Sequence, residues 1–240
     1  MKRIRPNVGS IETAWPVSKG PDIYRDKEST RLNRLYDFER DLWSTGYQWI
    51  AGIDEVGRGP LAGPVVAGAV ILPGGAWLPG IDDSKRISPA NRRELAVLIK
   101  ERAISWAIVE VDVEFIDKYN IRQASLEAMR RTVRGLSVQP DHLLVDGMSI
   151  PNLVIPQTGL IRGDSRSASI AAASILAKVA RDELMDYLDK VYPGYGFCRH
   201  KGYGTPEHLA ALARLGPCPI HRFSFAPVRA SVQTSGGTDY

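Results

Sequence analysis

Residues Ile50 to Leu72, IAGIDEVGRGPLAGPVVAGAVIL, constrain this chain more than any other stretch. An apolar run ends in two adjacent carboxylates, Asp54 and Glu55, and a loop with three glycines follows. A second apolar, β-branched run from Val65 to Leu72 lies between Pro64 and Pro73. The pattern predicts strand, acidic tip, glycine loop, strand. Neighbouring carboxylates repel, and burying either one unpaired is costly. Such a tip either stays solvated as an acidic turn or offsets its repulsion with a cation. The loop behind it favours the second reading, because glycines let backbone N–H groups approach a sugar or phosphate closely. Arg58, inside the loop, adds a guanidinium suited to phosphate.

The same device recurs at His142 to Asp146 (HLLVD), a short apolar strand that delivers a carboxylate directly before Gly147. In open α/β sheets ligands gather at the carboxyl ends of strands; one strand-end Asp often just opens a turn, and two in one chain are more suggestive. A long alanine-rich helix, about Ala168 to Tyr192, carries Ser174, Lys178 and Asp182 at i, i+4 and i+8, on one face. On a helix surface the Lys178–Asp182 spacing is ordinarily an exposed ion pair.

The remaining pattern alternates strands and helices. A helix is expected over Glu28 to Trp43, capped by Ser29 or Thr30, and it reads as packing only. Ser88-Pro89 opens a helix to about Ala103, with Ser as cap and Pro at the first position. Lys85, Arg86, Arg92 and Arg93 cluster at its start, where positive charge opposes the helix dipole. A solvated basic face is the plain reading of this cluster. A strand over Ile104–Val111, a short helix over Val113–Tyr119, a helix over Ile121–Leu136 capped by Asn120, and a strand pair or extended segment over Asn152–Ile161 complete the α/β pattern.

From Pro193 the character changes to YGFCRHKGYGTPEHLAALARLGPCPIHRFSFAPV, with three of the four histidines, several cations and interleaved rings. Thr205, Pro206 and Gly216 bracket a helix. The flanking HKGYGT and PIHRFSF are either a nucleic-acid surface or a hydrophobic clasp with basic residues snorkelling from it. The organisation expected is a flexible arm over 1–27, one domain over 28–228 whose last part is about 193–228, and a disordered polar tail over 229–240.

Composition narrows the function class. Apolar and charged fractions of 44% and 24% are those of an ordinary globular protein. No apolar run reaches membrane-span length. No apolar signal core follows the charged N-terminus, and a cytoplasmic protein is expected. Cys198 and Cys218 fit neither a CxxC nor a zinc pattern and read as reduced thiols. A net charge of +4 and a pI near 9.1 suit a polyanionic partner without establishing one.

The motif GIDEVGRGPLAGPVV resembles the signature of ribonuclease HII, the type 2 ribonuclease H. DDSK, LLVDG, RGDSRS, ASILAKVARD, HKGYGT and HRFSF extend the likeness over about residues 48–228. The resemblance implies a ribonuclease H-like mixed sheet flanked by helices, with a helical C-terminal part. It implies endonucleolytic cleavage of RNA in RNA–DNA hybrids, and incision on the 5′ side of a ribonucleotide in duplex DNA, leaving a 5′-phosphate and a 3′-hydroxyl. It also implies that Asp54, Glu55, Asp146 and, through ILAKVARD, Asp182 converge as catalytic and metal-holding acids. All-oxygen ligands of this kind suit Mg²⁺ or Mn²⁺ rather than zinc, with two ions roughly 4 Å apart flanking an in-line displacement.

Further implications concern substrate contacts: Gly57, Arg58 and Gly59 sensing the 2′-hydroxyl that distinguishes RNA, the Ser84 and Lys85 loop, Lys178, Tyr203 and His221. A monomer is expected, with no membrane association. The clamp-docking motif of some relatives is not evident in the tail, so sliding-clamp docking is not expected. Two rivals stand beside this reading. A metal-free nucleic-acid-binding module would set four carboxylates against phosphate, unless metals invert the field. An ATP-dependent phosphotransferase lacks the GK[ST] of a P-loop.

Overall fold

The acid-tipped strand is the centre of the sheet. The computed structural model describes residues 22–235. Helices α1 (Asp22–Leu35) and α2 (Asp37–Ser44) lead into β1 (Ile50–Val56) and β2 (Val65–Ile71). Helix α3 (Pro89–Arg102), strand β3 (Ser105–Val111), helices α4 (Val113–Tyr119) and α5 (Ile121–Arg134), and strands β4 (His142–Asp146) and β5 (Gln157–Leu160) follow. A 3₁₀ turn (Gly163–Ser165) precedes α6 (Ala168–Val191), α7 (Phe197–His200), α8 (Pro206–Leu215) and α9 (Ala226–Ser235).

The strand order is β3-β2-β1-β4-β5. Strand β1 is antiparallel to β2 and parallel to β4, so the sheet is mixed. The predicted ribonuclease H-like α/β architecture is the one observed. Alternation along β1 divides the core. Ala51 and Ile53, with Ala67 and Ala69 of β2, face Ala124, Ala128, Met129 and Val133 of α5. The opposite face carries Gly52 and Gly68, and α6 covers it. A Cβ at Gly52 would collide with the backbone of Ser169 and Ile170, and one at Gly68 with the Ala173 carbonyl. Those two glycines, together with the run of alanines in α6, let helix backbone rest directly on sheet backbone.

Several expectations need correction. The single helix over 28–43 is two, broken at Tyr36, whose ring is buried and whose hydroxyl donates to the Ala76 carbonyl. Ser29 and Thr30 therefore lie inside α1 rather than at its start. Helix α1 begins at Asp22, within the stretch expected to be an arm; residues 1–21 lie outside the described ones. The pair of strands over 152–161 reduces to β5, because an Ile150–Gln157 backbone-to-amide clasp closes the connection as a turn. The tail is helical to Ser235, since Val228 is buried against Leu61 and Leu212; residues 236–240 lie outside the described ones.

Candidate active site

Parallel pairing places two acids together. Ile53 is level with Val145, so Asp54 and Asp146 leave the sheet side by side at its carboxyl edge. Asp54 is also opposite Gly68, and the helix admitted by that glycine brings Ser174 to the Asp54 carboxylate. Ser174 is held in turn by Ser84, hydroxyl to hydroxyl at 2.9 Å. Asp54 is buried, and the Glu55 amide donates to its Oδ1 at 2.7 Å.

The protein neutralises these charges only in part. Burial, then Glu55 and Asp146 beside it, hold the Asp54 carboxyl well above the usual carboxylate range. Burial also raises Glu55, with Asp146 adding to the effect and Arg58 opposing it from 3.2 Å. A fourth carboxylate joins from the 3₁₀ turn. Asp164 is buried, and its pKa is raised by burial and by Asp83 and Asp146. Lys85 approaches it at 3.8 Å while its side chain stays largely exposed. Burial would lower the Lys85 pKa, but Asp83, Asp164, Asp54 and Asp146 together raise it.

The fourth acid named from the sequence is elsewhere. Asp182 lies eight residues beyond Ser174 on α6, about 12 Å along the helix axis. Both its oxygens are occupied, Oδ1 by Lys178 at 2.6 Å and Oδ2 by Arg92 at 3.1 Å. Arg92 is buried and also donates to the Ser84 and Ile87 carbonyls, so it is not part of a solvated basic face. Nor is Lys178–Asp182 an exposed pair, since both side chains are largely buried. This trio fixes α6 to the loop that carries Ser84 and Lys85. The signal for Asp164 was RGDSRS, a polar run without the strand-end pattern that singled out the other acids.

Would a divalent ion fit? Among the described residues, no group of three or more His, Cys, Asp or Glu side chains stands ready to hold one. The oxygens are turned aside: Asp54 Oδ1 to the Glu55 amide, Asp146 Oδ1 to the Gly163 amide at 2.6 Å, and Glu55 to Arg58. The chemistry does fit. Oxygen-only donors, buried and mutually repelling, form a set that a hard divalent cation relieves.

The glycine loop is gripped from behind by two buried guanidiniums. Arg181 donates to the carbonyls of Pro64, Ala62 and Lys201, and Arg222 to those of Gly57, Arg58 and Gly63. Burial and the nearby Arg181 push the Arg222 guanidinium down to about 9, and its carbonyl partners keep it protonated at neutral pH. Gly57 requires its φ of +93°, and Gly59 lies under the exposed Tyr203 ring, whose Cε1 would be 3.7 Å from a Cβ there.

Other predicted contacts are internal. His221 has no exposed surface and bonds His208, so it cannot touch a substrate. Ser84 is buried beneath Lys85. The C-terminal histidines are a clasp, as the second sequence reading held, whereas Tyr203 and Phe223 face outward.

The family model described as Ribonuclease HII matches residues 51–228. Ribonuclease HII of Moorella thermoacetica (strain ATCC 39073 / JCM 9320) is 58% identical over 198 residues, covering 82% of this chain and 96% of that protein. Ribonuclease HII of Myxococcus xanthus (strain DK1622) is 55% identical over 212 residues, 88% of this chain and 72% of that one. Among solved structures, ribonuclease H2 from Pyrococcus horikoshii OT3 superposes with a TM-score of 0.69 at 22% identity, over 80% of this chain and 100% of that one. Bst-RNase HIII in complex with Mn2+ gives 0.62 at 19% identity, over 78% and 70%. At these identities the structures bear on the fold alone.

Proposed function

The chain belongs to the ribonuclease HII family, and from that premise we propose that Asp54, Glu55, Asp146 and Asp164 hold its divalent metal ions and that the protein nicks duplex DNA 5′ of an embedded ribonucleotide. Family membership makes it a ribonuclease H, an endoribonuclease acting on RNA–DNA hybrids with divalent metal. The observation that carries the site assignment is Asp54: buried, raised in pKa, and flanked by Glu55 and Asp146. Asp164 replaces Asp182 in the set because both oxygens of Asp182 already serve Lys178 and Arg92. Mn²⁺ or Mg²⁺ suits these donors, and when bound it would supply Lewis acidity to the attacking water and the leaving oxygen.

The chain's own residues do the rest. Arg58 and Lys85, both exposed at the rim of the acids, meet the phosphates on either side of the scissile bond. The Gly57–Gly59 backbone and the Tyr203 ring form a narrow slot for one sugar edge, where a 2′-hydroxyl would find hydrogen-bond partners and a deoxyribose would leave them unsatisfied. Lys178 supports the site through Asp182 rather than by contact. Water attacks phosphorus, the bond from phosphorus to the upstream O3′ breaks, and O3′ departs with a proton. The ribonucleotide thus keeps a 5′-phosphate and the DNA before it gains a 3′-hydroxyl.

The test is incubation with Mn²⁺ or Mg²⁺, without ATP, of a duplex carrying one ribonucleotide beside the all-DNA duplex. Nicking of the first alone is expected, with a product end that a polymerase extends. Comparable cleavage of all-DNA would overturn sugar sensing. A 2′,3′-cyclic phosphate end would overturn hydrolysis by water.

A further inference from the structure

We propose that Glu39 is a positioning residue for this site, reaching from α2 to fix the turn over 161–167 that presents Asp164 and orients Asp146. The inference rests on the assignment of those two acids to the metal-holding set. The N-terminal helix pair otherwise reads as packing, and its apolar stripe does fill the core around Leu32, Leu35 and Tyr36. Glu39 does not belong to that stripe. It has no exposed surface, and its Oε2 is buried without a hydrogen-bond partner. An apolar side chain there would avoid the cost of burying an unsatisfied carboxylate oxygen, so packing alone does not explain it.

The other oxygen shows where the residue acts. Oε1 accepts from Ser167 Oγ at 2.6 Å and from the Ser169 amide at 2.9 Å. Ser167 is the cap of α6, its Oγ accepting from the Ile170 amide, and its own amide donates to the Gly163 carbonyl at 2.8 Å. The Gly163 amide donates to Asp146 Oδ1. An unbroken series of hydrogen bonds thus runs from Glu39 through Ser167 and Gly163 to Asp146. The turn it holds does not hold itself easily, because Arg162 sits at φ 56°, a left-handed conformation that a side chain disfavours. Asp164 is the second residue after Arg162, so its direction depends on the same anchor.

The experiment uses the full chain and four variants: Glu39→Ala, Glu39→Gln, Ser167→Ala and Leu32→Ala. Mn²⁺ affinity is measured by calorimetry without substrate, kcat and KM on an RNA–DNA hybrid, and stability by melting. Glu39→Ala is expected to lose on the order of 10-fold in both Mn²⁺ affinity and kcat, as supporting hydrogen bonds around metal ligands do, with KM unchanged. Ser167→Ala breaks the same link and should follow it, which keeps the test open if Glu39→Ala does not fold. Glu39→Gln retains an acceptor for Ser167 and Ser169 and should restore both quantities. Leu32→Ala removes buried packing from the same helix pair, so it should lower the melting temperature and leave both unchanged. Wild-type Mn²⁺ affinity and kcat in Glu39→Ala or Ser167→Ala would overturn the proposal, and so would equal losses in Leu32→Ala. The same calorimetry on Asp164→Asn separates the two claims, since wild-type affinity there would overturn the site assignment itself.

Discussion

Gly57 and Gly59 stand two residues apart in one loop, yet a methyl group should act differently at each. Gly57 has a φ of +93°, and a Cβ there would run into the Arg181 side chain and approach the Pro64 carbonyl. Gly57→Ala should therefore cost at least about 2 kcal/mol of stability, read by chemical denaturation, from backbone strain and overpacking together. Gly59 has no such demand, and its Cβ would make only an ordinary contact with Tyr203. Gly59→Ala should fold and bind duplex nearly as well as wild type. It should cleave on the order of 10-fold more slowly in single turnover, because it narrows the slot for the sugar edge. Cleavage at the wild-type rate would remove Gly59 from substrate recognition. At this scale the sequence was informative where an acid ends an apolar strand, as at Asp54 and Asp146. Asp164 was passed over because its turn is polar, and because Asp83, Asp146 and Lys85, which surround it, are distant in the chain. Asp182 was singled out by the resemblance through ILAKVARD, and its partner Arg92 lies 90 residues away.

At the scale of elements, two neutral histidines, His208 and His221, tie α8 to the segments on either side of it. The Cys218 amide donates to His221 Nδ1, which leaves the His221 proton on Nε2 to donate to His208 Nε2. His208 then carries its proton on Nδ1 and donates to the carbonyl of Tyr203. A proton added to His221 Nδ1 would have to displace the Cys218 amide, with the Cys218 carbonyl at 3.2 Å to receive it. Burial and His208 push His221 down from 6.5 to about 4. Between those values the unfolded chain binds a proton that the folded chain does not, so stability is complete above about 6.5 and is lost as pH falls toward 4. The stability gap between wild type and His221→Gln should accordingly narrow by up to about 2 kcal/mol from pH 8 to pH 5, in metal-free protein followed by denaturant melts. A gap that does not change with pH would show that the pair does not titrate in this way. The strands and the helices with their own caps, such as Ser88 before α3 and Thr205 before α8, were legible because their signals are local. The break between α1 and α2 was not, since it depends on Tyr36 reaching the Ala76 carbonyl.

Over the whole molecule the C-terminal part and the catalytic sheet form one unit around the glycine loop. Leu61 bonds Gly202, Gly63 bonds Ile220, and Arg222 bonds Leu61 through the backbone, while Arg222 grips three loop carbonyls through its side chain. Composition alone left two readings of HKGYGT and PIHRFSF because it does not say which way a ring points. In the fold the histidines lie inward as the clasp, and the Tyr203 ring lies outward beside the loop. Among the described residues no helix is long and apolar enough to cross a membrane. The proposed role of this unit is to bring repelling carboxylates together for metal. Its most direct test is the single-turnover rate of RNA–DNA hybrid cleavage by Asp54→Asn at saturating Mn²⁺, with circular dichroism and metal-free melting alongside. Asparagine resembles the protonated acid that burial favours, so the fold should persist and its metal-free stability should stay level or rise. Cleavage should fall by more than about 100-fold, beyond what losing a mere supporting contact costs. Wild-type turnover by the folded variant would contradict the account.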